Sequence, residues 1–143
     1  MDLKSLMVDS KEVWIDFPGM PGFKVKVANL ARKELIKLRV ACTSQKFDKK
    51  IRGVVDELNE EKFVEEFAKA TVKGWKGLTL KYLETLVLIE IGNEDENAEL
   101  DFTTENAQML VANSTEFDQW LNEVVFDLDN FRTGSKKPSI KKA

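Results

Sequence analysis

The side chains in this sequence that could carry out acid–base chemistry are almost all carboxylates. The 143 residues include 25 Asp and Glu, one cysteine and no histidine. The lack of histidine excludes Ser-His-Asp and Cys-His catalytic pairs and imidazole zinc sites. A general acid or base needs a carboxylate in a desolvated pocket, but the acidic pairs Glu60/Glu61, Glu65/Glu66 and Asp127/Asp129 lie on faces that read as solvent-exposed. We therefore predict a protein that is not an enzyme, with no catalytic, cofactor-binding or metal-binding residue.

Three other motifs have simple structural interpretations. Cys42 lies on the apolar side of a predicted helix, where a thiol without a nearby activating group packs as a small core residue. The turn Pro18–Gly22 contains glycines, but it lacks the spacing and the Lys-Ser/Thr pair of a phosphate-binding loop. Residues 92–99 are acidic without the Asp/Asn spacing of a calcium loop. We interpret them as a solvated turn.

The tryptophans are the remaining residues of interest. Trp14 in a strand and Trp120 in an amphipathic helix are expected in the core. Trp75 lies between two glycines at the expected end of a helix, next to Lys76. It either fills the junction between the helix and a loop or contacts a partner, because exposed aromatic residues are favoured at interfaces.

The charge distribution separates the last twelve residues from the rest. Residues 132–143 hold five of the 22 basic residues and no acid, so residues 1–131 carry 17 basic and 25 acidic residues, a net charge of −8. A body of this charge repels a phosphate backbone, and we predict no nucleic-acid binding by it. No apolar run approaches the roughly 20 residues that cross a bilayer. Residues 1–12 also lack the apolar stretch of a signal peptide. We therefore expect no signal peptide and no membrane association.

Hydrophobic periodicity predicts the N-terminal elements. Residues 13–17 and 23–27 are β-branched, aromatic or strictly alternating, and the Pro/Gly turn joins them, which predicts a β-hairpin over 12–28. Asn29 is the expected N-cap of the next helix, in which Leu35, Leu38 and Cys42 share a face. The polar residues 43–53 then read as a connection or a frayed helix end.

The later elements are predicted to be helical. Asn59 begins a helix that ends at Gly74–Gly77, with Gly77 as a left-handed cap. Residues 78–91 begin as a helix, while helix and strand both remain open for 84–91. Thr103 and Ser114 begin two more helices, and the second has an apolar stripe over 117–131. The predicted fold is α+β and mostly α: a hairpin packed on four to five helices in one domain, 1–131, with a flexible basic tail, 132–143.

Four segments in this order resemble the tail assembly chaperones of long-tailed bacteriophages, of the lambda G-protein type. The first segment is WIDFP from Trp14 followed by VKV from Val25, and the second is NLARKE from Asn29. The third is VKGWKGL from Val72, and the fourth is DFTTENA from Asp101. The resemblance extends over residues 12–133. The Trp-Lys-Gly core of the third segment is the most specific. Residues 78–100 are longer than the family pattern.

The resemblance implies a non-catalytic protein that coats the long, helical, apolar-rich tape measure protein before the tail tube polymerises around it. It also implies action in the host cytoplasm and absence from the mature virion. A frameshifted, extended form could recruit the tail tube protein, and the chains could form homo-oligomers. We expect the binding groove near Trp75 and along 117–131, formed by Trp75, Lys76, Phe117, Trp120 and Val124. The alternative is a structural tail subunit, such as a tail terminator, that stays in the virion.

Overall fold

The computed structural model describes residues 1–8 and 10–132. About 44% of this part is helical, and the remainder includes two small antiparallel sheets, so the fold is α+β as predicted. The described helices are α1 (Leu3–Leu6), α2 (Arg32–Ala41), α3 (Glu60–Thr71), α4 (Leu80–Leu86), α5 (Thr104–Asn113), α6 (Thr115–Val125) and a 3-10 helix (Leu128–Phe131). The strands are β1 (Glu12–Asp16), β2 (Lys24–Ala28), β3 (Thr43–Asp48), β4 (Gly53–Leu58) and β5 (Val72–Lys76).

The predicted N-terminal hairpin is present as β1 and β2. These strands pair antiparallel with Trp14 opposite Lys26, and the turn contains Gly19 and Gly22 at positive φ. The alternation places Phe23, Val25 and Val27 in the core, with no exposed surface. A two-stranded hairpin is marginally stable alone, and here a third strand, β5, extends the sheet in the order β1-β2-β5.

The prediction that the helix continues to Gly74–Gly77 is wrong, because α3 ends at Thr71 and residues 72–76 are strand β5. The pairing of β2 with β5 shifts register between Lys26 and Val27, which leaves Lys73 as an extra residue. This bulge lets Val72 and Trp75 both face the core although they are three positions apart. Gly77 adopts the predicted positive φ, 79°, but it follows a strand and caps no helix.

The prediction for 43–53 is also wrong, because β3 and β4 form a second hairpin. Its strands pair from Thr43/Leu58 to Asp48/Gly53, and Lys46 forms an ion pair with Glu57 across them. In the connecting turn the Asp48 carboxylate accepts a hydrogen bond from the Lys50 N–H. The turn ends at Arg52, with φ of 51°. Cross-strand pairing thus stabilises a polar segment that shows little hydrophobic pattern on its own.

Three predicted helix starts are confirmed, and one predicted N-cap is wrong. Side chains of Asn59, Thr103 and Ser114 accept hydrogen bonds from backbone N–H groups in the first turns of α3, α5 and α6. Asn29 does not cap α2, which begins at Arg32 without a side-chain cap. The Asn29 side chain instead accepts a hydrogen bond from the Lys11 N–H and joins the ends of the first hairpin.

The core lies between the inner face of the three-stranded sheet and helices α3–α6. Phe17 is central to it, with ring centroids of Phe23, Phe117 and Trp120 within 5.9 Å of its own. Helix α3 packs against α5. Cys42, at the end of α2, is buried, as predicted.

Two predicted helices are shorter than expected. The stripe over 117–131 is broken, since α6 ends at Val125 and Phe131 belongs to the 3-10 helix. Within 78–91 only 80–86 is helical, and the remainder is neither helix nor assigned strand. Residues 92–99 form turns without regular structure. The tail prediction for 132–143 lies outside the described residues apart from Arg132.

Candidate functional site

Trp75, the most specific residue of the predicted binding groove, lies inside the chain's own core. It is 6% exposed, its indole N–H donates to the Leu100 carbonyl at 2.9 Å, and its ring meets Phe102 edge-on at 5.1 Å. The indole therefore joins β5 to the segment before α5. Contact of Trp75 with a partner stays a prediction, and it would require part of this core to open.

The predicted site residues on α6 are also turned inward. Phe117 and Trp120 are buried against Phe17, and Val124 is half-buried against the same core. Lys76 is exposed on the opposite, outer face of the sheet. In this conformation the five predicted residues do not share one open surface.

Lys76 belongs to a small cluster on the outer face of the sheet. Its ammonium lies 4.6 Å from the centre of the Trp14 ring, a cation–π contact. Trp14 is 46% exposed, so the expectation that it is a core residue is wrong. It faces outward because it shares the strand face of Glu12 and Asp16, which pair with Lys26 and Lys24. The carboxylates of Glu12 and Asp16 on this face therefore already form ion pairs within the chain.

Two observations concern the titratable side chains of the described residues. These residues include no group of three or more His, Cys, Asp or Glu placed to hold a metal ion. Partial burial raises the pKa of Asp118 above its ordinary value, while a hydrogen bond from Asn122 opposes the shift. Asp118 lies in the first turn of α6, whose N-terminal end favours a negative charge. The position of Asp118 at the helix N-terminus accounts for an acidic residue at this site.

A group of exposed apolar side chains lies on residues 32–58. We call this segment, made of α2 and the β3–β4 hairpin, the arm. No residue of α2 is fully buried, and β3 and β4 pack chiefly against each other and α2. The exposed apolar residues of the arm, each 47–67% exposed, are Ile36, Val40, Phe47, Ile51 and Val54.

The arm presents these residues in two ordered pairs. Ile36 and Val40 are four positions apart on α2, which places them on one helix face. Phe47 and Val54 are directly opposite each other on β3 and β4, so they share one face of the hairpin. Leu35 and Leu38 lie on another side of α2 and are half-buried. The arm therefore has two exposed apolar pairs, Ile36/Val40 on α2 and Phe47/Val54 on the hairpin, which we together call the arm's apolar face.

Sequence reasoning missed the arm because residues 43–53 were read as a polar connection or a frayed helix end and residues 54–58 were assigned to no element. A signal was present: Ile36 and Val40 fall outside the predicted apolar stripe of α2 yet have helical spacing. That Phe47 and Val54 share one face becomes apparent only from the register of the hairpin, in which they are directly opposite each other.

The net charge of residues 1–131 is distributed unevenly along the sequence. Residues 1–81 contain 17 basic and 12 acidic residues, whereas residues 82–131 contain 13 acidic residues and no basic one. The arm alone has eight basic and four acidic residues, a net charge of +4. An apolar, basic arm is thus attached to a body whose C-terminal half is strongly acidic.

A second apolar feature lies where the N-terminal segment meets the 3-10 helix. An open cavity of about 600 Å³ is lined by Leu6, Val8, Ser10, Lys11, Asn29, Leu128, Phe131 and Arg132. It includes the end of the predicted 117–131 groove. The α1 residues beside it are exposed throughout, so the cavity is a shallow surface feature with a weakly packed wall.

Comparison of the chain with protein-family models, with curated proteins and with solved structures found no match. Among the helices in the described part of the chain, none is long and apolar enough to cross a membrane.

Proposed function

We propose that this chain is a tail assembly chaperone of a long-tailed bacteriophage, which binds the tape measure protein and keeps it soluble before the tail tube polymerises. The sequence resemblance supplies the family and the client. The observation that carries the proposal is the arm's apolar face, because a folded chain that leaves such residues in water has a surface suited to binding an apolar partner.

In this proposal, a helix of the tape measure protein contacts the arm. An amphipathic helix of the tape measure protein would lay its apolar stripe across Ile36 and Val40 on α2 and reach Phe47 and Val54 on the hairpin. Burying these side chains in a complex removes apolar surface from water on both partners, which stabilises the complex and prevents aggregation of the client.

The charge of the chain supports the solubilising part of the role. Bound copies would turn the acidic α4–α6 half outward, where it is well hydrated. We propose that the protein acts in the host cytoplasm and is absent from the mature virion. An extended form made by frameshifting would recruit the tail tube protein.

The direct experiment is co-expression of the tape measure protein with the wild-type chain or with an Ile36→Gln, Val40→Gln, Phe47→Ser variant. We expect the wild type to keep the client in the soluble fraction and to co-purify with it, and the variant to lose at least about tenfold in recovered complex. A matched control, Leu3→Gln with Met109→Gln, changes apolar residues that are equally exposed but lie outside the arm. Equal client recovery with all three proteins would contradict the arm as the client site.

Mass spectrometry of purified particles separates this proposal from the alternative of a structural tail subunit. A chaperone is missing from mature virions, whereas a tail terminator or tube-associated subunit is present in a fixed number of copies. Detection of stoichiometric amounts of this chain in particles would replace the chaperone role with the structural one.

A further inference from the structure

The segment that follows α4 has the pattern of a strand without a partner strand. In residues 87–91 the side chains of Val87, Ile89 and Ile91 are half-buried, while those of Leu88 and Glu90 are exposed. This alternation is that of a half-buried strand. We call residues 87–91 the unpaired segment.

The backbone of the unpaired segment is available for pairing. The Val87 N–H donates to the Leu83 carbonyl, and the Ile91 carbonyl accepts from the Glu94 N–H. Between these two bonds, no N–H of residues 88–91 has a backbone acceptor in the described part of the chain. Leu88 is fully exposed. A further strand could therefore reach this backbone from solvent.

The arm provides a strand with a free edge. The β3–β4 hairpin is a two-stranded sheet, so β3 and β4 each have an outer edge that no described strand covers. The end of β3 leads into a basic turn with Lys49, Lys50 and Arg52, all exposed. Such an edge can add to another extended segment through main-chain hydrogen bonds.

The charges of the two elements are complementary. Residues 84–99, which include the unpaired segment, carry six acidic residues and no basic one, against the net charge of +4 on the arm. Strand β3 suits this acidic surface better than β4. Its charged residues, Lys46 and Asp48, balance each other, whereas β4 carries Asp56 and Glu57, which would repel Glu90. Both complementary surfaces belong to the same chain, which identifies a second copy as the occupant.

We propose that β3 of one copy adds as a strand to the unpaired segment of the next copy. The contact is heterologous, since it joins two different surfaces, and its repetition builds a ring or an open helical array. Strand addition uses the edge of the hairpin and leaves Phe47 and Val54 on its face. The same arm can therefore join a neighbouring copy and still present its apolar face to a client.

Analytical ultracentrifugation of the purified full chain tests this proposal without any client. We expect a mass that rises with protein concentration and falls when the salt concentration is raised from about 0.05 M to about 0.5 M, because screening weakens charge complementarity. A wild-type chain that stays monomeric at its highest soluble concentration overturns the proposal.

Charge reversal tests which surfaces meet. An arm variant (Lys49→Glu, Lys50→Glu, Arg52→Glu) and a segment variant (Glu90→Lys, Glu94→Lys, Glu96→Lys) should each associate at least about tenfold more weakly than wild type. Mixed in equal amounts, the two variants should associate again, because each reversed surface then meets an oppositely charged one. A control with the same charge change as the arm variant, but outside both surfaces, is Lys4→Glu, Lys69→Glu, Lys73→Glu, which should associate like wild type. If the mixture stays monomeric while both variants remain folded by circular dichroism, the pairing is wrong.

Hydrogen exchange separates strand addition from a contact of side chains alone. We expect slower exchange in peptides covering 43–48 and 87–91 in the associated wild type than in the monomeric arm variant. Protection confined to other peptides would overturn the strand pairing. Because the client takes no part in these measurements, their failure leaves the proposed chaperone function untouched.

Discussion

The indole N–H of Trp75 donates a hydrogen bond to the backbone carbonyl of Leu100, with 2.9 Å between the nitrogen and the oxygen. The two residues are 25 positions apart, and the bond joins strand β5 to the segment that leads into α5. The edge of the same indole packs at 90° against Phe102. Trp75 therefore connects the sheet with the C-terminal helices through both a polar and an apolar contact.

The first prediction concerns this connection. Trp75→Phe keeps much of the apolar contact but removes the donor, so we expect the free energy of unfolding to fall by about 1–2 kcal/mol. Trp75→Ala also leaves a cavity, and we expect a loss of about 3–5 kcal/mol. Urea denaturation of both variants measures these losses. Unchanged stability of Trp75→Phe would show that the Leu100 carbonyl finds another donor.

A second prediction compares two glycines at positive φ. At Gly77, with φ of 79°, an added Cβ would overlap the Gly22 carbonyl oxygen, whereas at Gly19, with φ of 80°, it would meet nothing within 4 Å. Gly19→Ala should cost about 1–2 kcal/mol, from the left-handed conformation alone. Gly77→Ala should cost more than about 3 kcal/mol because the backbone must also move. Thermal unfolding of the two variants gives the comparison, and equal losses would contradict the close approach.

The third prediction concerns the cation–π contact of Lys76 with Trp14 on the outer face of the sheet. Both side chains are largely accessible to solvent, so removing the charge with Lys76→Met should cost only about 0.5–1 kcal/mol. A double-mutant cycle with Trp14→Leu isolates the pair energy. A coupling energy indistinguishable from zero would show that the ammonium prefers water to the ring.

A fourth prediction follows from the raised pKa of Asp118. Burial disfavours its ionised form in the folded chain, so the folded state holds the proton more tightly than the unfolded state does. The contribution of Asp118 to stability therefore falls as the pH rises from about its ordinary value of 3.8 through the folded-state pKa.

The measurement is the difference in unfolding free energy between wild type and Asp118→Asn, from about pH 3 to about pH 6. The wild type should lose stability relative to the variant over this range. Glu116→Gln, in the same turn of α6, serves as the control for loss of a negative charge at the helix N-terminus. A difference that moves in the opposite direction would mean that the hydrogen bond from Asn122 outweighs burial.

Local patterns in the sequence were sufficient for several elements. The alternation of residues 23–27 identified the first hairpin, and Asn59, Thr103 and Ser114 marked the starts of three helices. These signals are short-range because a strand face or a helix cap depends on residues within one or two turns. They also established the α+β class and the burial of Cys42.

Strand pairing, in contrast, was decided by tertiary structure. Residues 72–76 became β5 because the open edge of β2 accepts them, and a bulge at Lys73 turns both Val72 and Trp75 inward. Residues 43–58 became a hairpin through pairing of β4 with β3, a strand whose residues are mostly polar. Periodicity within one segment carries no information about such partners.

The same distinction applies to the candidate site. The amino-acid types alone excluded histidine chemistry, and they established the acidity of residues 82–131. Which aromatic residues are buried and which apolar residues remain in water depended on the packing of distant elements. Folding buried Trp75 and Trp120, exposed Trp14, and left Ile36, Val40, Phe47 and Val54 outside the core, because burial is a property of the assembled layers.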